Sequence, residues 1–282
     1  MDFNFSGKNV LITGGSTGLG FETAKLFVNN GADITICSRN IDGIEAAASK
    51  LSCEKINQSQ QIRFKKVDVG NPCEIDSLFG YSGIPDVLVT CAGVYGPIGT
   101  IENNSWDEWE YAIRVNLIGT VYCIRKAVSL WKGANRGGKI ICLSGGGATK
   151  GMPNFSSYAA SKSAVVRTVE TIALENKGTG IYINAIAPGA LNTRMLDEAL
   201  NAGEKAAGSD MYRKFIAQKE NGGASIHNAA ELIAYLASDI SDGITGKLIS
   251  AVWDDWKTFH EHKAFLENPE IYTLRRTTPD SL

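Results

Sequence analysis

Histidine is scarce: the 282 residues include three, and His227, His260 and His262 come late in the chain without metal-ligand spacing, so no metal centre is expected. The six cysteines (Cys37, Cys53, Cys73, Cys91, Cys123 and Cys142) include no Cys-x-x-Cys pair. Several sit inside apolar runs such as residues 34–37 and 140–143, which reads as buried, reduced thiols in a cytoplasmic protein. Charge of either sign is not in excess: 28 basic against 30 acidic residues leave a net charge of −2 and a pI near 6.0. That balance supplies no field to hold nucleic acid or an anionic membrane. No run of about 18 apolar residues is present, so no spanning helix is expected. The stretch from Met1 to Lys8 lacks the basic segment and apolar run of a secretory signal. A linker rich in proline, glycine and serine is also missing, as is any internal repeat, so one domain is expected.

What is present is alternation. Short stretches at residues 10–12, 34–37, 62–67, 87–89, 139–143, 181–187 and 247–250, most of them apolar runs, read as strands. Helical stretches at residues 21–30, 41–51, 74–79, 106–131, 156–175 and 229–238 separate them. Apolar runs without polar alternation suit strands covered on both faces. Strands joined through helices imply right-handed crossovers, hence an α/β fold with a doubly wound, Rossmann-like parallel sheet over residues 1–252. Residues 190–225 are rich in Ala, Gly and charge and show no strand pattern. Residues 253–282 form a C-terminal extension with Trp253, Trp256, Phe259, Phe265, Tyr272 and Leu274. These are too many apolar side chains for a free tail, so it is expected to pack on the body or on a neighbouring subunit.

Thr13-Gly14-Gly15-Ser16-Thr17-Gly18-Leu19-Gly20 lies between the first strand and the first helix. Glycines there let the backbone turn tightly and approach a pyrophosphate, whose charge then meets free N–H groups and the positive end of a helix. Gly14, Ser16, Thr17, Gly18, Leu19 and Gly20 are therefore candidate cofactor contacts. The end of the second strand, about 20 residues on, reads the adenosine ribose in such folds. An acidic residue there would bind the 2′-hydroxyl of NAD, but this chain has Ser38-Arg39-Asn40. A hydroxyl and a guanidinium suit a 2′-phosphate, which favours NADP(H), with NAD(H) as the alternative. Asp68, just after the third strand, is placed to accept from the adenine amino group.

Tyr158 and Lys162 fall four residues apart in a predicted helix and so share a face. An ammonium near a phenol favours the phenolate; Lys162 and the cofactor's own positive ring together would draw the tyrosine toward neutrality, where it can exchange a proton with an alcohol or carbonyl.

In order, the glycine turn, Thr90-Cys91-Ala92-Gly93, Asn116, the Tyr158/Lys162 pair and Pro188-Gly189-Ala190-Leu191-Asn192-Thr193 resemble the short-chain dehydrogenase/reductase family, from about Lys8 to Leu248. The turn and the pair are similar to its simple-reductase branch. The resemblance implies hydride exchange between a nicotinamide and a small-molecule carbonyl or alcohol, with Tyr158 as acid/base. It further implies that Lys162 also binds the nicotinamide ribose, Asn116 holds a relay water and Thr193 contacts the carboxamide. Val69, Cys91, Ala92, Gly93, Pro188 and Gly189 would complete the cofactor contacts. Residues 190–225 would be a substrate lid, and the helices at 106–131 and 156–175 would pair across a two-fold, giving a homodimer or homotetramer.

Three departures qualify the match. The family's substrate-binding serine falls at Gly145, within Ser144-Gly145-Gly146-Gly147. Ser144, one residue early, would face the wrong side of a regular strand unless the glycines redirect it. It stays a candidate catalytic residue, with Thr149 or ordered water as weaker substitutes. Thr90 replaces the first Asn of Asn-Asn-Ala-Gly, and the usual Val-Asp-Gly-Gly ending is replaced by residues 250–256. The alternatives are a catalytically weak NADP-binding sensor or scaffold, and a sugar-modifying enzyme that oxidises transiently.

Overall fold

In a computed structural model that describes residues 1–277, strand β1 (Asn9–Thr13) leads into helix α1 (Gly18–Asn29) and the alternation then continues. β2 (Asp33–Ser38), α2 (Ile41–Ser52), β3 (Ile62–Lys66), α3 (Pro72–Ser82) and β4 (Val87–Thr90) complete the first half. The second half holds α4 (Trp106–Ile113), α5 (Thr120–Gly133), β5 (Gly138–Leu143), α6 (Ser156–Glu175) and β6 (Ile181–Ala187). It ends with α7 (Arg194–Ala207), α8 (Ser209–Asn221), α9 (Ile226–Ala237), β7 (Leu248–Ser250) and α10 (Lys263–Leu266).

The seven strands form one parallel sheet in the order β3-β2-β1-β4-β5-β6-β7. The chain builds outward from β1 to β3, then returns to β4 on the other side of β1. Connections from the carboxyl ends of β1 and β4 therefore diverge, opening the crevice in which such sheets hold ligands.

Strand residues alternate between two helical layers, and both layers are apolar. Val10, Ile12, Ile34 and Ile36 face α1, α2 and α9, while Leu11, Cys37, Leu88 and Ile140 face α3, α5 and α6. That is why the inner strands read as unbroken apolar runs, whereas β3 at the sheet edge (Ile-Arg-Phe-Lys-Lys) does not.

Helix starts are specified locally. The side chains of Asn40, Asn71, Ser105 and Ser225 each accept a backbone N–H in the first turn of α2, α3, α4 and α9. Pro72 at the first position of α3 explains why that helix starts before the expected residue 74. The stretch 106–131 is not one regular helix: a wider π turn, Arg114–Gly119, separates α4 from α5. Residues 190–225 contain no strand but two helices, with Gly203 kinking α7 at φ +81°. The cysteines also divide: Cys37, Cys123 and Cys142 are buried, whereas Cys53 and Cys73 are exposed near helix ends, where the sequence had suggested burial.

Past β7 the chain folds back. Trp256 packs against Tyr235 with ring centroids 5.6 Å apart, and Phe259 against Tyr272 at 5.0 Å. The Leu248 N–H donates to the Tyr272 carbonyl (2.7 Å), and Lys247 Nζ donates to the carbonyls of Asn268 (2.7 Å) and Ile271 (3.1 Å). These residues cover the outer edge of β7, which would otherwise expose unpaired backbone groups. Trp253, by contrast, is 86% exposed. The part of the extension at 278–282 lies outside the described residues.

Candidate active site

The turn after β1 places its glycines under hard steric limits. Gly14 has φ +69°, and a Cβ on it would stand 2.7 Å from the Ala92 nitrogen, so the β1 and β4 loops approach as closely as backbones can. A Cβ on Gly20 would overlap the Gly14 carbonyl, which ties α1 against its own turn. At the start of α1, Thr17 makes no side-chain cap and the first turn has no acidic residue, unlike α2 and α4. The N–H groups there are left for an anion, and the helix dipole favours one. Thr193, which begins α7 equally uncapped, has its methyl 3.4 Å from where a Cβ of Gly18 would lie.

At the other end of the crevice, Arg39 and Asp68 are joined through a residue the sequence did not single out. Arg39 Nη1 donates to the Tyr111 hydroxyl (2.5 Å), which donates to Asp68 Oδ2 (2.8 Å). The guanidinium also lies 5.6 Å from the Tyr111 ring centroid. Asp68 Oδ1 accepts from the Gly70 N–H (2.8 Å). Tyr111 lies 72 residues from Arg39 and 43 from Asp68, so no local spacing could have flagged it.

Tyr158 and Lys162 come together on α6, both buried. Lys162 Nζ donates to the Leu143 carbonyl (2.8 Å) and stands 5.7 Å from the Tyr158 ring centroid. The Tyr158 ring packs edge-on against Tyr95 at 4.9 Å. The expected acidification of the phenol is not a property of the chain alone. Burial raises Tyr158 above the ordinary phenol value, with Tyr95 adding to the effect, and burial pushes Lys162 down to about 8. Both groups are thus held toward their neutral forms.

Asn116 sits in the π turn, fully buried, and clamps the chain after β4. Its Oδ1 accepts from the Val94 N–H (2.9 Å), while Nδ2 donates to the Val94 carbonyl (2.8 Å) and to Ser161 Oγ (3.1 Å). Ser144 is 3% exposed and its hydroxyl has no hydrogen-bond partner among the described residues. β5 ends at Leu143, so strand alternation no longer dictates where position 144 faces. Gly145 is the residue directed at Tyr158: a Cβ there would overlap the phenol oxygen.

Every proposed cofactor contact lines one cavity of about 1320 Å³, together with Ser144, Tyr158 and Lys162; Asn116 stands behind that lining. Ligand pockets usually measure about 300–1,000 Å³, so this one can take a dinucleotide and a second molecule. The turn, the uncapped helix ends and the polar Ser38/Arg39 end fit a nicotinamide dinucleotide. The remaining wall mixes apolar side chains, among them Tyr95, Met152, Met195 and Phe215, with the polar Thr149, Lys150, Arg194 and Gln218. α7 and α8 bring Leu196, Ala199 and Phe215 into a small core with Phe155 and Tyr158, closing over the phenol. Trp253, Asp254, Tyr272 and Thr273 also reach the cavity, a contribution of the C-terminal extension that its sequence pattern did not show. Burial pushes the Cys91 thiol up to about 12, so this cavity-lining group is a protonated thiol at neutral pH.

Comparison with known proteins places these features. A family model described as short chain dehydrogenase matches residues 8–204. Short-chain dehydrogenase/reductase aba4 of Botryotinia fuckeliana is 31% identical over 253 residues, covering 87% of this chain and 95% of its own. The 3-oxoacyl-(acyl-carrier-protein) reductase FabG of Chlamydia trachomatis is 29% identical over 248 residues, covering 86% and 95%. Among solved structures, a short-chain type dehydrogenase/reductase from Mycobacterium ulcerans superimposes with a TM-score of 0.75 at 25% identity, covering 88% of this chain and 89% of that one.

Proposed function

The chain belongs to the short-chain dehydrogenase/reductase family, and on that premise we propose that it is an NADP(H)-dependent carbonyl reductase or alcohol dehydrogenase with Tyr158 as acid/base. As a family member it is an NAD(P)(H)-binding oxidoreductase acting on CH–OH groups. The observation that carries the finer reading is the buried Tyr158/Lys162 pair at a cavity whose far end presents Ser38 and Arg39.

When bound, NAD(P)(H) supplies or accepts the hydride at its nicotinamide ring, which is cationic in the oxidised form. Tyr158 donates its hydroxyl proton to a substrate carbonyl oxygen in reduction and takes it from the alcohol in oxidation. Lys162, held by the Leu143 carbonyl, binds the nicotinamide ribose and places its charge beside the phenol. Asn116 fixes the Val94 segment and the α6 serine next to Lys162, keeping the pair in register and serving the proton relay. Ser144, with a free hydroxyl, donates to the substrate oxygen in place of the side chain missing at Gly145. Thr193 meets the carboxamide, and Ser38 and Arg39 bind the 2′-phosphate.

The wall formed by Tyr95, Met152, Met195 and Phe215 suits a small molecule with an apolar body and one reacting oxygen, and α7–α8 act as its lid. Among the described residues no helix is long and apolar enough to cross a membrane. The cytoplasm is the compartment we assign from the free cysteines. A homodimer or homotetramer pairing α4–α5 and α6 is the proposed assembly.

The test is Tyr158→Phe assayed with NADPH across a panel of ketones and aldehydes. Turnover should fall by about 10² or more, with NADPH affinity retained; unchanged turnover removes Tyr158 from the chemistry. A second reading, an NADP-binding sensor, draws on the absent side chain at Gly145. Tryptophan quenching by NADPH with no turnover on any carbonyl would favour it.

A further inference from the structure

We propose that Tyr111 is a positioning residue for cofactor choice: its hydroxyl holds the Arg39 guanidinium at the adenosine end and keeps it from pairing directly with Asp68. The inference rests on the reading that Arg39 recognises a 2′-phosphate.

The hydrogen-bond arithmetic allows one arrangement. A guanidinium only donates and an ionised carboxylate only accepts, whereas a phenol has one proton and two lone pairs. Tyr111 therefore accepts from Arg39 Nη1 (2.5 Å) and gives its proton to Asp68 Oδ2 (2.8 Å). The direction of both bonds is set by chemistry. Burial and the Asp68 carboxylate together hold the Tyr111 phenol above its ordinary value, so the proton stays on the bridge at physiological pH.

Arg39 and Asp68 both line the cavity and carry opposite charges. Left to themselves they would attract, and an ion pair would take the guanidinium away from a nucleotide phosphate and the carboxylate away from adenine. The hydroxyl between them connects the two while keeping them apart. It uses one of the five N–H groups of Arg39 and leaves four for a phosphate. The guanidinium carbon stands 5.6 Å from the Tyr111 ring centroid, off the hydroxyl edge of the ring, so the hydrogen bond and not stacking holds it. Asp68 is fixed independently by the Gly70 N–H (2.8 Å), so the bridge is anchored at its acidic end.

Tyr111 itself is on α4 and is not among the residues that line the cavity. Its effect should appear in nucleotide selectivity and not in general cofactor affinity or in the chemical step.

The experiment measures dissociation constants of NADPH, NADH and 2′,5′-ADP by calorimetry for the full-length wild type, Tyr111→Phe and Arg39→Ala. Tyr111→Phe keeps the ring and removes the hydroxyl, and should weaken NADPH and 2′,5′-ADP by about fivefold. NADH should change by less than about twofold, so the NADPH/NADH ratio falls. Arg39→Ala should lower the same ratio further. If Arg39→Ala lowers the ratio and Tyr111→Phe leaves it alone, the bridge has no positioning role and the phosphate reading survives. If Tyr111→Phe weakens both dinucleotides equally, its role is structural and the inference fails. If Arg39→Ala leaves the ratio unchanged, Arg39 does not read the 2′-phosphate, and both the reading and the inference built on it are overturned.

Discussion

Tyr158 and Gly145 share one space: a Cβ on Gly145 would overlap the Tyr158 hydroxyl and stand 2.9 Å from Cζ. The phenol thus occupies the room that a side chain at position 145 would need. A glycine here is a steric requirement of this tyrosine rotamer, beyond being the loss of a hydrogen-bond donor.

Restoring a side chain should therefore harm the enzyme. Gly145→Ala and Gly145→Ser must both push the phenol aside, and a displacement of about 1 Å costs on the order of 10² in rate. Both variants should lose kcat/KM to a similar degree, with NADPH affinity little changed, in steady-state assays on a reducible ketone. A gain of activity in Gly145→Ser alone would show instead that the missing donor, and not the shared space, limits this chain.

The charge on Lys162 opposes folding when no cofactor is present. Burial pushes its ammonium down to about 8, below the ordinary lysine value. The folded chain then binds fewer protons than the unfolded chain between about pH 8 and the unfolded value of about 10.4. The penalty is complete below pH 8 and fades as pH rises through that window. Lys162→Met, lacking the charge, should be more stable than wild type at pH 7 by about 1–3 kcal/mol and should approach it near pH 10. Urea unfolding at the two pH values checks this. A less stable Met variant at pH 7 would mean that the bond to the Leu143 carbonyl outweighs the cost of burial.

Much of this was legible in the chain. The strand positions, the turn after β1 and the Tyr158/Lys162 pair each announce themselves within a few residues, because strand burial, phosphate approach and helix faces are local constraints. What was not legible depends on distant partners. Tyr111 matters through Arg39 and Asp68, and Tyr272 through Leu248, and neither spacing leaves a local mark. The electrostatic balance at Tyr158 in the chain alone depends on distant residues in the same way. An ammonium four residues away is visible in the sequence, but the burial that raises the phenol comes with the packing of α7 and α8 around it, and Tyr95 adds to the effect.

Asn116 satisfies both backbone groups of Val94, a residue 22 positions away. Asn116→Ala would take the partner from a half-buried N–H and carbonyl, at up to about 1–3 kcal/mol for each group left unsatisfied. We expect a loss of about 2 kcal/mol in urea unfolding, with a parallel loss of turnover as the chain beside Lys162 loosens. Asn116→Asp can still accept from the Val94 N–H but faces the Val94 carbonyl without a donor, so it should not rescue. Full stability in either variant would show that the clamp is dispensable.

The C-terminal extension should act on substrate and assembly, leaving the nucleotide site alone. Tyr272 and Thr273 line the cavity, while the Tyr272 carbonyl pairs the β7 edge and Leu274 accepts from Arg167 (2.6 Å). Arg275 adds an ion pair to Glu170 on α6 (2.7 Å). Ending the chain after Glu267 removes all four residues, opens an edge strand and strips part of the wall facing the substrate. An opened edge is a template for pairing with another copy, so light scattering after size exclusion should show larger species as concentration rises. KM for an apolar ketone should rise about tenfold, the usual scale for losing one pocket contact. NADPH affinity should hold, because Arg39 and Tyr111 lie at the far end of the crevice. A truncated chain with unchanged KM and unchanged mass would reduce the extension to a passive cover, since contacts that neither shape the cavity nor occupy the edge cannot affect either measurement.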